Sequence, residues 1–299
     1  MEVLVAGTGA MACLFAGKLT ASGNDVTMFG TWREGMAALR QFGVRMLDLY
    51  GNTQSYPVKV LDGAARNGIF THALVLVKSW QTERVANQLK GLLSEDGIAL
   101  TLQNGLGNYE ILEGNLGPER VALGVTTNGA RMVQPGHVQH TGIGKISLGT
   151  HPKLGELIKR FQEAGFQVEL VSTPASLLWG KLVINAAINP LTALLRVENG
   201  ELLRRPEARE LLGEAAREAA MVATSQGISL PFPDPVYAVE EVARNTAPNA
   251  SSMLQDVTRS RNTEIEAING AIVRAGEKLG VPTPINRMLW RLVKSIDQR

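Results

Sequence analysis

The stretch Val3-Leu4-Val5-Ala6-Gly7-Thr8-Gly9-Ala10-Met11-Ala12 decides the fold. Four apolar residues read as a short strand, Gly7 ends it, and a helical pattern runs from about Ala10 to Ser22. The turn between them has the form G-x-G-x-x-A, a variant of the fingerprint that binds dinucleotides where a strand passes into a helix. The first glycine permits a tight turn, and the second lets the backbone approach a pyrophosphate. A small third residue lets helix and strand pack closely. Gly7, Thr8, Gly9, Ala10 and Met11 are therefore the candidate phosphate cradle, with the helix amides and positive dipole end facing the anion. The alternative is a purely structural strand-to-helix turn.

Outward from this loop, strands and helices alternate. Val26–Phe29 reads as a second strand and Trp32–Phe42 as a helix. Ala73–Val77 is wholly apolar, the pattern of a central parallel strand covered on both faces. Gln81–Leu93 reads as helix, Ile98–Leu102 as buried strand, Asn108–Leu116 as a short helix and Val121–Thr126 as strand. His137–Leu148 alternates around glycines as a hairpin would, Leu154–Ala164 is helical and Val168–Val171 is a last strand. After Pro174 the strand signal ceases. Helices are expected over Ala175–Ala187, Pro206–Gln226, Pro235–Asn245, Ser252–Leu279 and Asn286–Ile296, with proline turns between some of them. The chain is read as α/β: an N-terminal Rossmann-type doubly wound domain over residues 1–172 and a C-terminal all-helical domain over 173–299.

Composition narrows the function. The 299 residues carry 30 Lys and Arg against 28 Asp and Glu, a net charge of +2, with no basic run, which argues against a nucleic-acid partner. An apolar fraction of 44% argues against disorder. The single cysteine, Cys13, excludes an internal disulfide and a four-cysteine zinc site, and reads as a small buried hydrophobe. The histidines, His72, His137, His140 and His151, form no helical metal pair, so no metal is expected, and His137 and His140 are read as surface residues. No apolar run approaches the ~18 residues of a membrane span. A cytoplasmic protein with a small-molecule partner, no nucleic acid and no membrane is expected, with a homodimer left open.

The end of the second strand selects the cofactor. An NAD site places a carboxylate there for the ribose 2′-hydroxyl. Here the chain reads Phe29-Gly30-Thr31-Trp32-Arg33. Thr31 can bond a 2′-phosphate and Arg33 can supply charge and stack on adenine, which favours NADP over NAD. A solvated first-turn role is the alternative for Arg33. Lys78 and Asn104 follow buried strands at the crevice where open α/β sheets bind ligands. They are candidates to steer an anionic substrate and to bind cofactor or substrate; a snorkelling lysine and an Asn-Gly turn are the alternatives.

In the helical half, Lys181, Asn185 and Asn189 recur every four residues among apolar neighbours. On a continuing helix they share one arc, and such a polar stripe must be satisfied internally or line a wet cleft. Lys181 there is a candidate general acid, its pKa lowered by apolar surroundings; the alternatives are a lysine salt-bridged at a domain seam and asparagines that hydrogen-bond between packed helices. Ser252-Met253-Leu254-Gln255 reads as a capping box with Ser252 as N-cap. Along the long helix expected from Ser252, Glu264 shares a face with Ile268, Ala271 and Ala275, so it needs a partner such as Lys181 or a substrate hydroxyl, with Arg259 and Arg261 as alternative, structural partners. Glu266 ranks below it.

Five motifs together resemble the 2-dehydropantoate 2-reductase, or ketopantoate reductase, family. They are Gly7-x-Gly9-Ala10-Met11, Val77-Lys78-x-Trp80-Gln81, Gln103-Asn104-Gly105, Lys181-Leu182-x-x-Asn185-x-x-x-Asn189-Pro190-Leu191-Thr192-Ala193, and Ser251-Ser252-Met253-Leu254-Gln255-Asp256 followed by Thr263-Glu264-Ile265. They span nearly the whole chain, and those of the helical half are the more specific. The resemblance implies a site between a Rossmann-type and a helical domain, with Lys181 as general acid and Glu264 binding substrate and assisting catalysis. It implies substrate contacts for Asn185, Asn189 and Ser252, and places Lys78 and Asn104 in the cofactor and substrate cleft. Two departures stand out: Ala12 where many members have glycine, and a cofactor-selecting arginine displaced to Arg33. The expected reaction is reduction of 2-dehydropantoate to (R)-pantoate with NADPH. The rivals are a related 2-keto acid reductase, a dehydrogenase with a His–carboxylate base, which finds no histidine after Ser172, and a non-catalytic NADP sensor.

Overall fold

Strand β1 (Glu2–Ala6) is buried from Val3 onward, and its neighbours on both sides run parallel to it. In the computed structural model, which describes residues 2–61 and 68–297, the chain divides into two compact units. Unit 1 comprises Met1–Gln103 and Asn108–Pro174; unit 2 comprises Asn104–Gly107 and Ala175–Arg299.

In unit 1, β1 is followed by α1 (Ala10–Ala21), β2 (Asp25–Phe29), α2 (Arg33–Phe42), β3 (Val44–Leu47), β4 (Thr53–Tyr56), β5 (Lys59–Val60) and β6 (Phe70–Val75). Then come α3 (Thr82–Leu92), β7 (Leu93–Thr101), α4 (Asn108–Leu116), β8 (Val121–Thr126), β9 (Gly129–Gln134), β10 (His137–Gly142), β11 (Lys145–Gly149), α5 (Gly155–Glu163) and β12 (Gln167–Val171). The main sheet has the order β5-β2-β1-β6-β7-β8-β11-β12 and is parallel except where β11 meets β8. The chain builds outward to β2 and β5 on one side of β1 and to β6, β7 and β8 on the other. The strand order thus reverses between β1 and β6, the switch point at which such sheets bind ligands.

A second sheet, β4-β3-β10-β9, covers the opposite face of α1. Helix α1 therefore touches protein on nearly all sides, which explains why Ala12 to Gly17 are all buried and apolar or small. A side chain at Gly17 would press on Val44 and approach Met46 and Tyr56. Three readings change here. The hairpin is β9–β10, turning at Pro135-Gly136, whereas β11 leaves it for the main sheet, so His137–Leu148 is not one hairpin. His140 is buried, with Nε2 3.1 Å from the Gly142 carbonyl, because β10 lies against α1. Strands β3, β4 and β5 lie where the sequence suggested none.

Unit 2 holds α6 (Pro174–Leu195), α7 (Pro206–Ser225), α8 (Pro235–Asn245), α9 (Ser252–Thr258), α10 (Asn269–Leu279) and α11 (Pro284–Ile296), packed around one apolar core. The long helix expected from Ser252 to Leu279 is broken: Arg259–Ile268 is irregular, and Ser260 takes a left-handed φ of 50°. Helix α6 runs on through Pro190. Proline has no N–H, so the Ala186 carbonyl one turn back loses its helical donor. Asn269 Nδ2 donates to that carbonyl at 2.9 Å, tying the start of α10 to the middle of α6. Among the described residues α6 is also long and apolar enough by mean hydropathy to cross a membrane, although Lys181, Asn185 and Asn189 interrupt its apolar run; 67% of its apolar window is buried inside the protein.

Candidate active site

Gly7 adopts φ +130°, a region costly for residues with a Cβ, and its N–H donates to the Phe29 carbonyl at 2.8 Å. A Cβ at Gly7 would lie 2.9 Å from the Leu76 carbonyl oxygen and 3.2 Å from Ala12 Cβ, so the turn needs a glycine there and a small residue at position 12. Gly9 is the N-cap of α1. It supplies no side-chain cap, and a Cβ built on it meets nothing within 4 Å. The start of α1 is thus open at Gly9, with no side-chain cap and no acidic residue in its first turn. These are the conditions under which a helix end accepts a phosphate.

The neighbouring strand ends converge on the same edge. Thr8 lies against Gly30 just beyond β2. Thr31 is exposed, and its hydroxyl accepts from Gln81 Nε2 at 3.1 Å. Arg33 is exposed as the first residue of α2. Lys78, partly buried, stands three residues past the end of β6, and its carbonyl accepts from the Gln81 N–H.

Behind this edge lies a buried network missed in the sequence. Gln103 Nε2 donates to the Val77 carbonyl and to Thr82 Oγ1, both at 2.9 Å. Thr101 Oγ1 donates to Gln103 Oε1 at 3.0 Å, and Thr82 Oγ1 to Asn108 Oδ1 at 2.7 Å. The chain just before Lys78 is thereby fastened to the chain just before Asn104. The available signal was a glutamine immediately after an apolar strand, where an unpaired amide would be costly.

In unit 2 the polar stripe of α6 is real. Lys181, Asn185 and Asn189 recur on one continuous helix, Lys181 and Asn185 partly buried and Asn189 buried. Burial pushes the Lys181 ammonium down to about 8, against the opposing pull of the Glu264 carboxylate. Asn189 Nδ2 donates to Ser252 Oγ at 3.4 Å. The N-cap of α9 is Ser251 rather than Ser252: its Oγ accepts from the Leu254 N–H at 3.0 Å and lies 2.7 Å from Thr192 Oγ1. Gln255 Nε2 reaches the Ala250 carbonyl, so the expected capping box is replaced by a single-serine cap one residue earlier. This releases the exposed Ser252 hydroxyl from capping. Cys13 is buried, and its thiol is pushed up to about 12 by burial, which leaves it unreactive.

Glu264 is buried, but on the irregular segment rather than on a helix face. Glu266 is half exposed and ion-paired with Arg274 and Lys294. The segment Asn104–Gly107 packs on the same stretch: the Leu106 N–H donates to the Ala267 carbonyl at 2.9 Å. Gly105 sits at φ +82°, and a Cβ there would fall 2.6 Å from the Ala267 oxygen and 2.7 Å from its Cβ. Gly105→Ala should therefore cost ~1–3 kcal/mol of stability through strain and overpacking. Gly107 also has positive φ, at 91°, but open space around it. Gly107→Ala should cost less, ~1–2 kcal/mol of backbone strain alone. Equal losses in a urea titration would refute the assigned clash.

The family description "Ketopantoate reductase PanE/ApbA" matches residues 3–153, and its C-terminal counterpart matches residues 175–297. A 2-dehydropantoate 2-reductase of Archaeoglobus fulgidus is 34% identical over 304 residues, covering 99% of this chain and 98% of that protein. The crystal structure of a ketopantoate reductase from Ralstonia eutropha superposes with a TM-score of 0.92 at 32% identity, covering 99% and 98% of the two chains. D-mandelate dehydrogenase, solved with NADH and anilino(oxo)acetate, gives a TM-score of 0.93 at 27% identity, again over 99% and 98%. The glycine turn at the head of a parallel sheet, the lysine–asparagine stripe with its buried glutamate, and likeness along the full length agree: the chain belongs to the ketopantoate reductase family.

Proposed function

We propose that this protein reduces 2-dehydropantoate to (R)-pantoate with NADPH, as a step of pantothenate biosynthesis. The observation that carries the reading is the collection of Lys181, Asn185, Asn189, Ser252 and Glu264 in one unit, on helices and a segment tied to each other. A lysine titrating near 8 is charged at neutral pH yet able to give up its proton, as a general acid requires.

The chain's groups fit a dinucleotide: open space at Gly9, uncapped amides at the start of α1, and Thr31 and Arg33 at the end of β2. A bound reduced nicotinamide supplies a hydride to the keto carbon. Lys181 donates its proton to the oxygen of that carbonyl, so the ketone gains two electrons and two hydrogens and leaves as the alcohol. Asn185, Asn189, Asn104 and the Ser252 hydroxyl offer donors to the substrate carboxylate and hydroxyl. Glu264 accepts from a substrate hydroxyl and keeps Lys181 protonated. Lys78 draws the anionic substrate toward the crevice. Domains 1–172 and 173–299 thus divide the labour between cofactor and substrate.

Turnover of ketopantoate with NADPH tests this reading, and a purified, folded protein that oxidises no NADPH with ketopantoate would sink it. Cofactor choice is tested separately. Arg33→Ala should lower kcat/KM for NADPH by about tenfold, the worth of one charge-assisted hydrogen bond of ~1.5 kcal/mol. It should lower the NADH value only about two- to threefold, because NADH loses the adenine stacking of an exposed Arg33 but carries no 2′-phosphate. A second reading, reduction of another 2-keto acid with NADH, is supported by the likeness to a dehydrogenase solved with NADH and an oxoacetate. Ratios of kcat/KM across keto acids and both cofactors separate the two.

A further inference from the structure

Glu264 sits on a stretch with no helix or strand to hold it, yet its carboxylate acts on Lys181 across unit 2. Within the stretch the Glu264 carbonyl accepts from the Ala267 and Ile268 N–H groups at 3.0 and 3.1 Å, and further bonds from outside pin the backbone around it. Downstream of Glu264 the pins are plain: Arg274 Nη2 donates to the Glu266 carbonyl at 2.7 Å, and the Leu106 N–H to the Ala267 carbonyl. Upstream, a side-chain pin is Asp297, just past α11. Its Oδ1 accepts from the Thr263 N–H at 3.3 Å and its Oδ2 from the Thr263 hydroxyl at 2.9 Å. The same hydroxyl accepts from the Ile265 N–H at 3.3 Å. One carboxylate thus orients Thr263, and Thr263 in turn holds the residue on the far side of Glu264. A threonine hydroxyl that donates to a carboxylate leaves its lone pairs for the Ile265 amide, so the two bonds support one another.

We propose that Asp297, through Thr263, is a positioning residue for Glu264: it fixes the backbone on both sides of the glutamate and so sets where that carboxylate meets substrate and Lys181. The inference rests on the reading that Glu264 acts on the substrate. Asp297 touches neither substrate nor Lys181 in this scheme, and its effect passes entirely through Glu264.

The test is a set of variants assayed with ketopantoate and NADPH: Asp297→Ala, Asp297→Asn, Thr263→Val, Thr263→Ser, Glu264→Gln and the double variant Asp297→Ala/Glu264→Gln. Asp297→Ala and Thr263→Val should each lower kcat/KM about tenfold, the loss of one charge-assisted hydrogen bond. Thr263→Ser keeps the hydroxyl and Asp297→Asn keeps an acceptor, so both should recover to within about threefold. In the Glu264→Gln background, Asp297→Ala should change kcat/KM by less than about twofold, because coupled residues are not additive. The high-pH limb of kcat/KM should move to lower pH in Asp297→Ala as it does in Glu264→Gln, since Glu264 is the charged group that raises the Lys181 pKa.

Wild-type kcat/KM in Asp297→Ala, or a full additional tenfold loss on top of Glu264→Gln, would overturn the proposal. Amide hydrogen exchange at Ile265 decides the clamp without turnover. It should speed up about tenfold in Asp297→Ala while global stability holds; unchanged exchange refutes the clamp. If Glu264→Gln turns over like wild type, the assigned role of Glu264 fails, and the exchange result still judges Asp297.

Discussion

Lys181→Met should lower kcat for ketopantoate reduction by ~10²–10⁴-fold, the range over which positioned proton donors contribute. Methionine keeps most of the apolar stem that packs along α6, so lost chemistry is separated from lost packing. Lys181→Arg should not rescue, because a guanidinium keeps its proton at every pH of interest. The pH dependence has a definite sign. The proposed mechanism uses the acid form of Lys181, and burial places its pKa at about 8. Wild-type kcat/KM should therefore be high below pH 8 and fall as pH rises through it. Glu264→Gln removes the pull that raises the lysine's pKa, so this limb should shift to lower pH. A Lys181→Met enzyme with wild-type kcat and an unchanged pH profile would remove the lysine from the mechanism and leave a bound water as the proton source to be found.

The parts of this scheme differ in how they could be read. The strand, glycine loop and helix at residues 3–22 were legible because each local preference agrees with the next. The polar stripe on α6 was legible because three polar residues interrupt an otherwise apolar helix at a helical interval. Strands β3 to β5 were not. β4 is almost fully polar and exposed, and short half-exposed strands lack the apolar alternation that marks buried ones. The Ser252–Leu279 helix failed for the opposite reason. Glu264, Ile268, Ala271 and Ala275 recur at helical intervals, but the backbone between Arg259 and Ile268 is held in an irregular course by Asp297, Arg274 and Leu106. Those partners lie far away in sequence, and periodicity within one segment carries no information about them. The same holds for the capping serine. Ser251 and Ser252 are equivalent in sequence, and the contact of Ser251 with Thr192 accompanies the choice.

Glu218→Ala should be strongly destabilising, with a loss of ~3–5 kcal/mol, because it leaves three buried donors unpaired at ~1–3 kcal/mol each. Glu218 is buried on α7 and serves as the cap that α11 lacks locally. Its Oε1 accepts from the Ile285 N–H, and its Oε2 from the Asn286 N–H and from Asn286 Nδ2, each at 2.9 Å. Pro284 opens α11, and Thr283 supplies no side-chain cap. The chain of bonds continues inward. Asn286 Nδ2 also donates to the Ala215 carbonyl, Asn286 Oδ1 accepts from Asn269 Nδ2, and Asn269 Nδ2 reaches the Ala186 carbonyl exposed by Pro190. Alanine at 218 leaves two amides of the first turn and one side-chain donor without their acceptor in a buried site. Glu218→Gln keeps one oxygen acceptor but turns an NH₂ toward donors, so it should lose about half as much. Glu210→Ala, on the same helix but exposed, should stay within about 0.5 kcal/mol of wild type. Urea titrations of the three variants check the order. Because the network ends between Asn185 and Ala187, the loosened variant should also raise KM for ketopantoate, while its affinity for NADPH, assigned to unit 1, stays unchanged. Wild-type stability in Glu218→Ala would mean that α11 is held by its apolar face alone and that the buried asparagines take other partners.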